Sequence, residues 1–300
     1  MLGMRSKILL LCFLIGWGNW LFAAKPSVDS IQVSSINKKA QNPDFVHVYL
    51  LDVSPGKAYY SIFGHVAIRM VCPSKKLDYC FSFEMNMKES SKLDLLTRSV
   101  KAGFGVLSTS DFLKSYQEEG RSVTAYEINL TPKEKQELWK FLDQSVSSGA
   151  IWTFDYTSIN CLSMAFYALN SALMPEQIEF RNLPPVTKLS FEDWKDEITC
   201  QSPWMNLLSH AMFLTEDGSN MMQEDKITPE MLKDVLPQAV IIDSCGRTRP
   251  LVLGKPNMLL PQIYHDKPYW FKPWMLFGIL ISVSIATWIF IYKKTKRHKV

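Results

Sequence analysis

Apolar positions recur at two periods along this chain, and the changes of period mark out its elements. Phe45-Val46-His47-Val48-Tyr49-Leu50-Leu51 is apolar with little alternation, which predicts a strand covered on both faces. Ser54-Pro55-Gly56 turns the chain. His65 to Val71 and Asp78 to Phe83 predict two further strands, joined as a hairpin through Pro73-Ser74-Lys75-Lys76. Thr109 to Glu119 is read as a helix that stops at Gly120, and Ser122 to Leu130 alternates as a strand. Thr131-Pro132-Lys133-Glu134 is a capping box with Pro at the first helical position, opening a helix to about Ser147. Asn129-Leu130-Thr131 also matches a sugar-acceptor sequence, but strand-end and capping roles explain it without sugar. Ser158 and Asn160 can cap a helix that starts at Cys161, whose apolar stripe is Leu162, Phe166, Leu169 and Leu173. Beyond Pro175 the periodicity fades. The pattern predicts an α+β domain: an antiparallel sheet with packed helices over residues 45–175, and a C-terminal lobe of the same domain over 176–263.

The two ends differ from this body. Arg5 and Lys7 precede an apolar run from Ile8 to Trp17, and Ala23-Ala24 suits a signal-peptidase site, so residues 1–24 read as a signal peptide. Cys12 follows three leucines rather than the small residue a lipidation signal needs. Residues 25–44 are polar and read as a linker. Between Trp274 and Tyr292 there is no charged residue, and this run matches a hydrocarbon core of ~30 Å. Trp270, Phe271 and Trp274 border it on one side, Trp288 and Tyr292 on the other. Lys293, Lys294, Lys296, Arg297 and Lys299 follow, a basic tail (293–300) that the positive-inside rule puts in the cytoplasm. The expectation is a single-pass protein of the bacterial cell membrane with its bulk outside the cytoplasm.

The formal charge of +4 includes that tail, so the outward domain is near neutral and no nucleic-acid partner is implied. Without the signal, five cysteines remain: Cys72, Cys80, Cys161, Cys200 and Cys245. In an oxidising compartment Cys72 could bridge Cys80 across the hairpin and Cys200 could bridge Cys245, leaving Cys161 as a free thiol; other pairings fit the count equally.

Cys161 stands in the first turn of its helix, where free backbone donors and the macrodipole favour a thiolate. A buried structural thiol or half of a disulfide fits that position equally well. Five histidines could serve as base. His298 falls in the tail, His265 beside the membrane and His47 within a strand; His210 has no distinguishing context. His65 follows Phe63-Gly64 and opens a strand, a good place to present a side chain. No Cys-x-x-Cys, helical His pair, Gly-rich phosphate loop or nucleotide signature stands out, so neither metal nor cofactor is expected.

Tyr60-Ser61-Ile62-Phe63-Gly64-His65-Val66-Ala67-Ile68-Arg69 resembles the Y-S-x-F-G-H-x-A-x-R signature of the Lnb-like family, the periplasmic domain at the N-terminus of a lipoprotein N-acyltransferase. Glu119-Gly120-Arg121-Ser122-Val123, Ile128 to Lys135, Phe154 to Cys161 and Arg249-Pro250-Leu251-Val252 resemble further elements in the same order. Ile159 stands where the family has Asp. The resemblance implies a permuted papain-like thiol fold, similar to lecithin:retinol acyltransferase and NlpC-type proteins, with Cys161 as nucleophile and His65 as base. Tyr79, Ser82 and Asn160 are candidates to orient His65, Asn160 being more simply a helix cap. The implied reaction moves a fatty acyl chain from membrane phospholipid through a Cys161 thioester to the α-amino group of exported lipoproteins, with membrane partner subunits an open question. A cysteine hydrolase acting on a cell-wall peptide or an ester would use the same residues. A non-catalytic binding or assembly domain requires only that Cys161 be inert.

Overall fold

The structure, a computed structural model, describes residues 46–56, 61–86, 90, 94, 100–155, 158–181, 195–196, 199–200, 202–212, 228–263 and 271–297. The expected signal peptide and linker lie outside these residues, as do His265 and His298. The chain divides into two compact units.

The first unit is built on a seven-stranded sheet, and every pairing in it is antiparallel. Its strands are β1 (His47–Val53), β2 (His65–Cys72), β3 (Leu77–Met85), β4 (Lys101–Ser108), β5 (Val123–Ile128), β6 (Trp152–Thr153) and β10 (Val252–Leu260). Their spatial order is β10-β5-β1-β2-β3-β4-β6. Helix α1 (Thr109–Glu119) covers one face. Helices α2 (Pro132–Ser147) and α3 (Cys161–Leu173) cover the other. A second, three-stranded sheet holds β7 (Gln177–Glu179), β8 (Val240–Ile242) and β9 (Thr248–Pro250) in the order β7-β8-β9.

Strand alternation sorts the core. Leu50, Val66, Ile68, Phe81 and Phe83 point to the α2/α3 face, where Leu138, Leu142 and Leu169 are all 0% exposed. Leu51, Val53, Ala67 and Cys80 point to the α1 face, against Phe112 and Tyr116. Burying each of these large side chains contributes about 2 kcal/mol. β1 therefore carries core on both faces, as its unbroken apolar run predicts.

The local signals hold where their chemistry is specific. Gly120 ends α1 in the left-handed region at φ 71°. The Thr131–Glu134 capping box is formed in both directions. Asn129 donates its side-chain amide N–H to Pro250 O at 2.9 Å, the strand-end role expected of it.

Several readings need correction. β3 runs on to Met85, and β4 was not predicted at all. Its sequence, Lys101-Ala-Gly-Phe-Gly-Val-Leu-Ser108, carries two glycines that mask a strand pattern. Gly103 is required there by close packing: a Cβ would lie 2.9 Å from Ala150 O. Of residues 176–263, β10 returns to pair with β5 at the edge of the seven-stranded sheet. All five cysteines outside the signal are free thiols. A Cys72–Cys80 bridge is excluded by register. Cys80 stands opposite Arg69 rather than Cys72, and its thiol turns to Thr109 on the α1 face while Cys72 alternates with Met70 on the other. Cys200 and Cys245 are exposed, unbridged thiols.

In the second unit, helix α4 (Pro203–Met212) and helix α6 (Pro273–Arg297) are joined by a hydrogen bond from Trp204 Nε1–H to Phe271 O at 2.8 Å. The buried Lys195 lies 3.1 Å from His210 Nδ1, and His210 Nε2 lies 3.0 Å from Asp196. Residues Pro273–Lys293 of α6 have mean hydropathy 2.2 and none of that stretch is buried, so α6 is long and apolar enough to cross a membrane. The short α5 (Leu232–Val235) belongs to the first unit.

Candidate functional site

Asn160 fixes the start of α3. Its side-chain oxygen accepts from Leu162 N–H and Ser163 N–H, both at 3.0 Å, while Ser163 Oγ accepts from Asn160 N–H at 2.9 Å. Asn160 is thus a helix cap, in the capping-box arrangement. The cap leaves Cys161 as the first helical residue, half-buried against the α2/α3 core.

The thiol meets the sheet where two strands part. The β2–β3 ladder begins at Ala67↔Ser82, so the Val66 backbone lies beyond its first rung. Burial pushes the Cys161 thiol above its ordinary value, more strongly than the backbone donors near it and the Arg121 charge lower it. The expected thiolate-favouring effect of the helix terminus is therefore present and outweighed in the unliganded protein.

His65 opens β2 one residue before Val66. Gly64 makes this entry possible. It sits at φ 79°, in the left-handed region, with a Cβ position only 3.0 Å from Val53 O, so a side chain there would be strained and crowded. Carrying the hairpin register outward from Ala67↔Ser82 brings His65 opposite Glu84. His65 Nε2 lies 3.9 Å from Glu84 Oε1, a charge contact longer than a hydrogen bond. The imidazole also stacks on Tyr116 of α1, centroids 6.2 Å apart.

Ser82 reaches this pair indirectly, donating to Glu84 Oε1 at 2.7 Å. Tyr79 does not reach it. Tyr79 stands opposite Met70, toward the far end of β2, and packs against the α2/α3 core. The structure thus places Cys161 against the α2/α3 core and His65, with Glu84 and Tyr116, on the α1 face, makes Asn160 a cap and separates Tyr79 from His65. Glu84 was missed, although the hairpin register read back from Lys76 to His65 would have found it.

Two charged residues complete the surroundings. Arg121, in the turn between α1 and β5, is buried at 2% exposure. Its Nε donates to Ser54 O at 2.7 Å, its Nη1 pairs with Glu119 at 3.0 Å, and its Cζ lies 4.8 Å over the Tyr116 ring. Nη2 is buried and has no hydrogen-bond partner among the described residues. Asp52 lies within β1 opposite Val66 and Thr124. Burial raises its pKa to about 7, against the opposing charges of Lys233 and Arg121. Asp78 holds Arg69 through two hydrogen bonds of 2.8 and 2.6 Å and accepts from Thr109.

The family profile of the Lnb N-terminal periplasmic domain matches residues 33–195, which include Gly64-His65, Arg121 and Asn160-Cys161. The chain belongs to the Lnb N-terminal periplasmic domain family. No curated protein and no solved structure matches the chain. Within this Lnb N-terminal domain the matched segment supplies β1 to β6 and α1 to α3, and so every side chain of the site. β10 and α6 follow it.

Proposed function

We propose that this Lnb N-terminal domain is a membrane-anchored thiol acyltransferase of permuted papain-like architecture, with Cys161 as nucleophile and His65 as base. The observation that carries the proposal is Cys161 as the first residue of the capped helix α3, in a chain that also holds a His65–Glu84 pair at the opening of β2. Backbone donors at a helix start stabilise a thiolate and the oxyanion that forms when it attacks a carbonyl.

The reaction runs in two halves. His65 takes the thiol proton, and the sulfur attacks the ester carbonyl of a membrane glycerolipid. The C–S bond forms, the tetrahedral oxyanion collapses, and the alkoxide leaves with the proton from His65, giving a thioester and a lysolipid. A neutral amine then attacks the thioester carbon. The C–N bond forms, the thiolate leaves, and the amine proton passes to His65. We take the amine to be the free α-amino group at the start of an exported lipoprotein. His65 faces Glu84 in the structure, so this reaction requires the imidazole to leave that contact and reach the Cys161 sulfur on α3. α6 crosses the membrane in this proposal, with the basic tail cytoplasmic, so that both substrates share one surface with the enzyme.

Mass spectrometry of lipoprotein N-terminal peptides tests the proposal, in cells carrying wild type, Cys161→Ala or His65→Ala. N-acylated peptides in wild type alone support it, and the lysolipid released identifies the donor as phospholipid or as the lipoprotein's own glyceride. Identical lipoproteins in all three strains overturn it and turn attention to hydrolysis of cell-wall peptides.

A further inference from the structure

Helix α4 turns its polar side toward the protein. Asn206 donates its side-chain amide to Asp196 Oδ1 at 3.1 Å and to Thr199 Oγ1 at 2.9 Å. His210, one turn further on, meets Lys195 and Asp196. Met205 and Ser209 are buried on the same side. Trp204, Leu207 and Leu208 stand at i, i+3 and i+4 and make one apolar stripe on the remaining face, where each keeps part of its surface exposed. A helix bathed in water puts such a stripe in the core and its polar groups outside. α4 does the reverse, so its outward face suits an apolar surrounding. That stripe is continuous with the entry to α6. Trp204 Nε1–H donates to Phe271 O at 2.8 Å, and the two rings stack with centroids 5.8 Å apart. Phe271 stands two residues before Pro273, where α6 begins, so Trp204 is fixed at the level where the apolar span starts. The bond gives an indole N–H and a backbone carbonyl a partner in each other, which a bilayer boundary demands of both. α4 has 10 residues and is about 15 Å long, too short for a hydrocarbon core of ~30 Å, so it can lie along a membrane but not cross one.

We propose that α4 is an interfacial helix, lying along the surface of the membrane that α6 crosses. Its occupant is phospholipid: Trp204, Leu207 and Leu208 enter the boundary between headgroups and acyl chains, while Asn206, Ser209 and His210 stay turned to the protein. This rests on α6 as the membrane span, not on the reaction at Cys161.

The test is photolabelling of the full wild-type chain in phosphatidylethanolamine–phosphatidylglycerol vesicles that carry a diazirine phospholipid, with the labelled residues mapped by peptide mass spectrometry. Label should appear on α6 and, within α4, on Trp204, Leu207 and Leu208 but not on Asn206, Ser209 or His210. A chain with both Leu207→Asp and Leu208→Asp should lose the α4 label and keep that on α6. Label on α6 alone in the wild type overturns the interfacial placement and leaves the anchor standing; a second copy of the chain or another protein seated on the stripe gives this same pattern. Label all round α4 also overturns it, because the helix would then be immersed rather than lying at the surface. An α4 label that survives both substitutions shows that the stripe does not hold the helix there and sinks the proposal. Label on neither helix overturns the membrane span and this inference with it.

Discussion

Asp52→Asn should change how stability depends on pH. Asp52 is the one polar residue in the Leu50–Val53 stretch, and burial raises its pKa from 3.8 to about 7. An acid whose folded-state pKa lies above its unfolded one binds more protons folded than unfolded. Its contribution is therefore fully present below pH 4 and is lost as pH rises through about 7. The shift is about three units, and at 1.36 kcal/mol each it sets an upper bound of ~4 kcal/mol. The carboxyl retains some solvent contact, so about 2–4 kcal/mol is the working range. Asn keeps the shape and removes the titration. The measurement is urea unfolding of wild type and Asp52→Asn in detergent, followed by tryptophan fluorescence from pH 4 to 8. The stability difference between the two should grow in favour of Asn from pH 4 to 7 and then level off. Any packing or hydrogen-bond cost of the amide is a constant offset and leaves this slope intact. A difference curve flat across the range would refute the reasoning and mean that Asp52 is solvated in the folded protein.

Arg249 ties three segments through Asn129 O, Glu134 and Glu176, so Arg249→Ala should cost about 2–4 kcal/mol in urea unfolding. Leu169→Ala should cost about 2–5 kcal/mol by the same measurement, since Leu169 is fully enclosed in the α2/α3 core. Asn160→Ala should cost about 1–2 kcal/mol, with Asn160→Asp restoring most of it. Cys80, pushed up to about 12 by burial, should resist iodoacetamide at pH 9 while the exposed Cys200 and Cys245 react, as read by peptide mass spectrometry. Glu84→Gln should slow acyl transfer by ~10-fold or more and leave unfolding unchanged, because Glu84 faces His65 rather than the core.

The residues that spoke most clearly in the sequence are those whose local chemistry has one solution. Gly120 as a left-handed stop, Thr131 as a capping box and Asn160 as a helix cap depend on neighbours within a few positions, and each is formed as read. What failed depends on distant partners. β4 needs its glycines because Ala150 approaches from another segment, and no window of sequence holds that information. β10 is an exposed, bulged edge strand whose pattern follows its pairing with β5 rather than a buried face. The disulfide arithmetic counted cysteines but not faces, and alternation sends Cys72 and Cys80 to opposite sides of the sheet. The His65–Glu84 contact could not be read from the sequence motif that carries His65, because it arises only through register.

That register also explains how one fold can hold a core and a reactive edge together. Val66 gives its side chain to the α2/α3 core, on the face where Cys161 packs. His65, the next residue outward, has the opposite parity and takes its contacts on the α1 face, with Tyr116 and Glu84. Cys161 and His65 thus pack on opposite faces of the sheet. Were the β2–β3 pairing to extend one rung to Val66↔Phe83, the Val66 backbone would lie within the ladder instead of beyond it. Gly64 fixes the entry of β2 at that open end. A residue with a Cβ at Gly64 would be pressed against Val53 O and would force the entry of β2 to shift, moving His65 and Val66 together.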